Sequence, residues 1–388
     1  MSQLPRRQFL RVAGGLSVAA ATLSLSGCSL SSDYPAEAVQ AWAGPGQERD
    51  VRRWILGWAI LAPHSHNLQS WLVDLSRPDE ITLYCDRTRL LPETDPLSRQ
   101  MMMSQGTFLE LLSIAARERG LRADIELFPE GEFGPVKVDA RPTARIRLAQ
   151  DPAAQRDALF AQILHRHTHR GAYEPRVPQA AALAAIDSAA TMTGARNGFV
   201  TDDDAALVSQ HRAIASEAWR IELVTPRTIL ESYNVLRIGP AEIARHRDGL
   251  SVNTPMLRAI NALGLFDRTK APGPDDTATR SQIDEFNKNM AATPAFYWMV
   301  TAANDRKTQI NAGRAYVRAQ LAATAQGLVM QPLSQALQEY PEQAAPYAQI
   351  HKLAGAQGGT VQMWTRLGYA KPAQPAPRRG VDAHILRA

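Results

Sequence analysis

Two sixteen-residue stretches of this chain match each other, and the match limits the fold more than any other feature. Gly106–Leu121 reads GTFLELLSIAARERGL, and Gly313–Leu328 reads GRAYVRAQLAATAQGL. Both pairs of glycines, the alanine pairs Ala115-Ala116 and Ala322-Ala323, and the closing leucine coincide. Each stretch has apolar residues at helical spacing and runs into a glycine, the usual helix stop, so each predicts an amphipathic helix. Each follows a strand-like run, Glu80–Cys85 and Ala295–Thr301. The small residues would let two such helices approach closely. Coincidence between two Ala-rich helices is the competing explanation. A true repeat makes the chain a fused pseudo-dimer, with its two central helices face to face across a pseudo-dyad.

Around these landmarks the pattern is helix-rich. Helices are expected at Val51–Ala62, Gln155–His167, Pro178–Thr193 and Asp204–Glu222. Thr225–Thr293 reads as irregular, with Pro240, Asp248-Gly249 and a polar break at Ala271–Thr279; a connection this long is expected to act as a lid or binding element. The expected organisation is a leader over 1–28, a first repeat over 29–150, and a second repeat over 151–388 with a lid-like insertion at about 204–293.

The leader has its own logic. Arg6-Arg7-Gln8-Phe9-Leu10 is a twin arginine followed by apolar residues, a mildly apolar run spans Val12–Leu25, and Leu25-Ser26-Gly27-Cys28 follows. This resembles a twin-arginine export signal ending in a lipobox, with Cys28 as the lipidated residue. The expectation is a folded, exported protein on the periplasmic face of a bacterial membrane. Ser29, rather than Asp, follows the cysteine and favours the outer membrane. Proteins that cross folded often carry a cofactor loaded beforehand.

Composition then excludes several classes. Past Cys28 no run reaches the length of a membrane span, so the lipid would be the membrane contact. Cys85 is the only other cysteine, which rules out an internal disulfide, a Cys-rich zinc site and an iron–sulfur cluster. The formal charge of +5 belongs partly to the leader and is otherwise scattered, which argues against nucleic acid.

Two polar segments carry the candidate chemistry. One is Pro63-His64-Ser65-His66-Asn67-Leu68-Gln69-Ser70-Trp71; the other is Arg166-His167-Thr168-His169-Arg170, with Tyr173 nearby. Hydroxyls, amides and two arginines suit an anion with a polar tail. The histidines at alternate positions, His64 and His66 and then His165, His167 and His169, would also suit copper or zinc. The neighbouring arginines oppose a cation, and no clear carboxylate joins the cluster.

At these residues the chain resembles the flavin-dependent nitroreductases, in their duplicated single-chain, Acg-like branch. Arg166–Arg170 resembles the family's Arg-x-Ser/Thr-x-basic motif, and Pro63–Trp71 its Pro-Ser-x-x-Asn-x-Gln-Pro-Trp motif. Gly327–Gln335 resembles the turn that passes the flavin ring, and Arg366-Leu367-Gly368-Tyr369 with Pro377-Arg378-Arg379 its basic C-terminal strand. The resemblance implies an α+β nitroreductase-like fold, duplicated within one chain, that binds flavin mononucleotide (FMN). It puts Arg166, Thr168 and one of Arg378 or Arg379 at the phosphate, Arg170 at the N1–O2 edge of the ring, and His167 among the cofactor-binding residues. It puts Pro332, Leu333, Ser334 and Gln335 opposite N5, and Ser65, Asn67 and Gln69 in contacts contributed from the opposite subunit. Arginine forks suit phosphate oxygens.

Each motif occurs once. Its counterparts near Val51-Arg52-Arg53-Trp54 and Ala195-Arg196-Asn197-Gly198 are degenerate, so one site and one FMN per monomeric pseudo-dimer are expected. His64 stands where the family pattern has Ser, Ser70 where it has Pro, and His167 and His169 flank Thr168. The implied activity is electron transfer through flavin N5 from an unidentified donor to a quinone- or nitroaromatic-like acceptor, with no side-chain catalyst required. The alternatives are a lidded protein that only holds FMN and, less strongly, a histidine-based metal-binding protein. No Gly-rich dinucleotide fingerprint follows a strand, so no separate nicotinamide domain is expected.

Overall fold

Ten strands are present in the computed structural model, which describes residues 31–386. They are β1 Trp71–Asp74, β2 Glu80–Cys85, β3 Leu121–Leu127, β4 Ala144–Gln150, β5 Ala195–Thr201, β6 Leu236–Ile238, β7 Leu250–Val252, β8 Ala295–Thr301, β9 Val329–Pro332 and β10 Thr360–Gly368. Two antiparallel four-stranded sheets result, one in the order β1-β2-β4-β3 and one in the order β5-β8-β10-β9. Taken in chain order, the four strands of each sheet are arranged identically: first, second, fourth, third. Asp33–Ala388 is one compact unit that contains both sheets. The expected leader, with Arg6, Arg7 and Cys28, lies outside the described residues.

The repeated stretches lie in the central helices Arg99–Glu118 and Arg306–Ala325, each of which begins earlier than the sequence match. Their faces are small and apolar, and they pack at backbone contact. A Cβ on Gly106 would fall on the carbonyl oxygen of Ile310, and one on Gly313 on that of Met103. An offset of 207 residues (106 to 313) converts each contact into the other. The same offset relates Arg99 to Arg306, both 1% exposed at the helix starts. Arg99 reaches Leu337 O, Gln362 O and Glu339 of the second half; Arg306 reaches Leu97 O, Gly134 O and Pro135 O of the first. The duplicated α+β architecture is therefore built around a pseudo-dyad between these helices.

The two sheets differ in environment. β3 alternates exposed positions with buried or half-buried ones, as a strand with one solvated face does, whereas all seven residues of β8 (AFYWMVT) are buried. The difference follows from the segment between β5 and β8. Thr225–Thr293 is not irregular, as the sequence pattern suggested. It holds helices Pro226–Asn234, Gly239–His246, Pro255–Ala262 and Thr277–Ala291, and the parallel pair β6-β7. Pro240, which supported that reading, sits with Pro226 and Pro255 at helix starts, where proline is tolerated. Ala205–Val224 covers the second sheet, with Phe296, Trp298 and Trp364 packed around its buried His211. Three other boundaries shift: Val51–Ala62 is helical only over Val51–Ala59, Pro178–Thr193 only over Ala180–Ala189, and Gln155–His167 is a single 3-10 stretch, Ala158–Gln162. Among the described residues no helix is long and apolar enough to cross a membrane.

Candidate functional site

The site begins where helix Val51–Ala59 ends. Asp50 caps its start by accepting from Arg52 N, and beyond its last turn the carbonyls of Leu61 and Ala62 are free of helical partners. Arg166 donates to Leu61 O at 2.9 Å, and Arg378 to Ala62 O at 3.1 Å. Both guanidiniums lie over the ring of Trp42, at 5.6 and 5.4 Å. Both are 3% exposed. Among the described residues neither has a carboxylate at ion-pair distance, and the Nε of each has no partner in the protein. Burial pulls both pKa values down, to about 10 for Arg166 and, with Arg166 adding repulsion, about 9 for Arg378. Both are charged at neutral pH. Two buried like charges at one place, with unfilled donors, are a donor set that an anion would satisfy.

The chain termini hold this pair in place. Trp42 Nε1 donates to Ala376 O at 2.8 Å, and Arg378 N to Ala38 O at 2.8 Å, so the N-terminal segment fixes the C-terminal arginine. Gln320 and Tyr316 of the second central helix complete the wall. Gln320 Oε1 accepts from Arg166 at 3.3 Å, and the buried Tyr316 hydroxyl has no partner in the protein.

The second polar segment runs beside β9. Thr168 bridges to Met330, and His169 N donates to Met330 O at 3.3 Å. Arg366, fully buried, donates to Gly171 O at 2.7 Å and Gln331 Oε1 at 2.7 Å, and lies over Tyr173. His167 Nε2 and His169 Nδ1 are buried without protein partners. Arg170 keeps an exposed surface, yet its surroundings are protein and its pKa is pulled down by burial. Its charge acts on Tyr34 and on His66 of the first polar segment. The two segments therefore lie within electrostatic reach of each other.

In the first segment the backbone does the aiming. His66, Asn67 and Gln69 all have left-handed backbone, with φ of 49°, 55° and 55°. Such a run of non-glycine residues is costly and persists where the surroundings enforce it. It turns Asn67 toward the arginines. Asn67 Oδ1 accepts from Arg378, and its Nδ2 donates to Pro377 O at 3.0 Å. Gln69 Oε1 accepts from Arg379 N at 2.9 Å. Ser65 instead faces the first central helix, near Gln100 and Ser104. His64, in place of the family's Ser, bonds the hydroxyl of Ser70, in place of its Pro, at 2.7 Å; burial lowers its pKa to about 3. The two departures from the family pattern are thus one contact.

After β9 the chain turns through Pro332–Gln335 into a 3-10 stretch, Ser334–Leu337, with Leu333 N donating to Trp364 O at 2.8 Å. A buried acid that the sequence pattern did not single out stands behind it. Glu222, on helix Ala205–Val224, accepts from Gln338 Nε2 at 2.7 Å and is bonded by Gln335; burial pushes its pKa up to about 7. Trp42, Tyr316, Gln320 and Glu222 carried no motif, because each reaches the site only through the fold.

Arg379 does not join the pair. Its guanidinium bonds Gln69 O and lies near Asp248 and Asp86, so Arg378 is the C-terminal partner of Arg166. The dyad-related positions are occupied by structural contacts. Arg52 pairs with Asp50, and Arg53 with Glu48 and Asp382. Asn197 bonds Asp187 and Tyr297, and Gly198 packs on the Trp298 indole. Among the described residues no three His, Cys, Asp or Glu side chains are grouped to hold a metal ion. Two surface hollows of about 330 and 300 Å³, around Asp187–Asn197 and Gly194–Gly359, include no residue of this cluster.

No family model matches the chain. Among curated proteins it is similar to one named NAD(P)H nitroreductase Rv3131 from Mycobacterium tuberculosis, 28% identical over 342 residues, 86% of this chain and 90% of that protein. It is also similar to one named NAD(P)H nitroreductase PigM from a Serratia strain, 29% identical over 199 residues, 48% of this chain and 51% of that protein. Among solved structures, the FMN-dependent nitroreductase NfnB from Mycobacterium smegmatis aligns with 57% of this chain and 94% of its own, at 17% identity and a TM-score of 0.36.

Proposed function

We propose that this chain is an FMN-binding oxidoreductase of the nitroreductase kind, with one flavin per chain, exported and tethered by a lipid on Cys28. One observation carries the reading. Arg166 and Arg378 are buried together beside Asn67, without a carboxylate, and leave two Nε donors unfilled. A phosphate monoester fits that donor set: it supplies the charge the pair lacks and accepts from both forks. The sequence relationship to proteins named as nitroreductases supports the same class.

Arg166 and Arg378 hold the phosphate, with Trp42 and Tyr316 closing the wall around it. Arg170 stands exposed at the end of the second polar segment, where a cation would stabilise negative charge that develops on reduction at the N1–O2 edge. The Pro332–Gln335 backbone borders the reactive face, and Asn67 and Gln69 fix the opposite wall. Bound FMN supplies the hydride and electron chemistry, taken from a donor and passed to a quinone- or nitroaromatic-like acceptor in separate encounters. The residues bind and orient; none is assigned a proton transfer.

A second reading has its own support. The inserted segment packs on the first polar segment: Gly249 N donates to Asn67 O at 3.1 Å, Gln69 Nε2 to Arg247 O at 2.9 Å, and Ser232 Oγ lies 3.4 Å from His66 Nε2. A cover fixed this way suits a protein that keeps FMN rather than turning it over. An exported protein also lacks ready NAD(P)H.

Purified protein should be yellow, with about one FMN per chain. Arg166→Ala should lower flavin retention, and full occupancy in that variant would remove the phosphate assignment. Anaerobic NADPH separates the two readings: rapid bleaching supports turnover, and a persistent oxidised spectrum supports sequestration or another donor.

A further inference from the structure

The inserted segment ends in an apolar tip. Met256, Leu263 and Leu265 are 73%, 72% and 72% exposed, the three most exposed large apolar side chains among the described residues. Helix Pro255–Ala262 turns Leu257 and Ile260 partly inward and Met256, Ala259 and Ala262 outward, and Leu263-Gly264-Leu265 extends the outward face. Isolated exposed apolar residues need no explanation, but a contiguous group of this kind marks a contact surface.

Three observations select a lipid surface as the occupant. First, Gly249–Phe266 contains a single charged residue, Arg258, and no acid; behind it Lys270 pairs with Asp267 and Arg268 with Glu242. A tip with so little charge suits the acyl boundary of a bilayer. Second, the start of the compact unit is tied to the base of this tip. Tyr34 Oη donates to Ser251 O at 2.9 Å, and Asn253 Nδ2 donates to Asp33 O at 2.5 Å. Only four residues separate Cys28 from Asp33, a span of at most ~18 Å over the five steps when extended. Third, Gly249 N donates to Asn67 O at 3.1 Å, so the base of the tip borders the candidate site.

We propose that Pro255–Leu265 is a membrane-contact surface, which inserts Met256, Leu263 and Leu265 into the acyl boundary beside the chain's own tether. One lipid chain alone gives weak, reversible anchoring, and a second apolar contact converts it to a stable one. With the tip docked, the flavin site borders the bilayer, where a lipid-soluble quinone is concentrated. The tether and that last step rest on the proposed function; the exposed apolar tip does not.

The test uses the full chain with Cys28→Ser, which removes lipidation, and Leu263→Cys labelled with an environment-sensitive nitrobenzoxadiazole dye. Cys85 is buried, its thiol pushed up to about 12, and stays unlabelled. On adding vesicles of phosphatidylethanolamine and phosphatidylglycerol, the tip label should brighten at least about threefold and shift to the blue. Met256→Ser with Leu265→Ser in the same chain should abolish that change, and a label at the distant exposed Val136 should not respond. Unchanged tip emission overturns the proposal, as does equal brightening at Val136. Brightening in concentrated protein without vesicles also overturns it, because the tip would then be a surface between copies. Flavin absorbance read in the same sample reports separately on the proposed function.

Discussion

Gly106 and Gly313 are each other's counterparts: each lets its helix rest on the backbone of the other, against Ile310 and Met103. No side chain larger than hydrogen fits either place without parting the two halves of the molecule. The four residues form one reciprocal contact at the centre of the fold.

Gly106→Ala is therefore expected to destabilise by about 3 kcal/mol, more than a helix-favouring substitution ordinarily returns. A drop in Tm of roughly 5–10 °C is expected. A Tm equal to or above that of the wild type would show that the helices do not meet here.

Arg378→Met keeps much of the side-chain volume and removes the charge. Affinity for FMN should fall roughly 10- to 100-fold, the worth of a charge-assisted hydrogen bond. Stability of the apoprotein should hold or rise, because Arg166 loses a buried like charge. Flavin fluorescence titration and apoprotein melting read the two effects separately, and a loss of apoprotein stability without loss of affinity would make Arg378 a structural residue.

His211 is fully buried against Phe296, Trp298 and Trp364, and neither ring nitrogen has a partner in the protein. Burial lowers its pKa from 6.5 to about 4. Below pH 6.5 the unfolded chain takes up a proton that the folded chain refuses, so stability falls as pH drops from 6.5 toward 4. His211→Phe removes that loss and should gain stability by about 2 kcal/mol more at pH 5 than at pH 8. Denaturant melts at the two pH values measure it, and a gain independent of pH would contradict the assignment.

Glu222 works in the opposite sense. Burial raises its pKa from 4.5 to about 7, so the folded state holds a proton that the unfolded chain has released. Its contribution is complete below pH 4.5 and is lost as pH rises to 7. Glu222→Gln should therefore gain on the wild type by on the order of 2–3 kcal/mol between pH 4.5 and 8. Parallel unfolding curves for the two proteins across that range would show that Glu222 is ionised throughout.

Much of the architecture was legible because it is written locally. Apolar spacing and terminal glycines marked the central helices, and alternation marked β2, while the unbroken apolar run marked β8. The insertion was misread because a proline such as Pro240 can either break a helix or begin one, and only the packing partner decides.

The sequence by itself determined two matching helix faces, since two stretches carry small residues at equal spacing; the reciprocal packing and the matching sheet orders made them a duplication. It also limited the candidate chemistry to two polar segments. Tertiary structure decided which residues meet. Arg378 rather than Arg379 joins Arg166, because Ala38 and Trp42 fix the C-terminal strand from the far end of the chain. Arg52 and Arg53, which share Arg166's residue type, are neutralised by Asp50, Glu48 and Asp382. A guanidinium's role depends on what surrounds it once water is excluded, and partners hundreds of residues apart are set by topology rather than by local pattern.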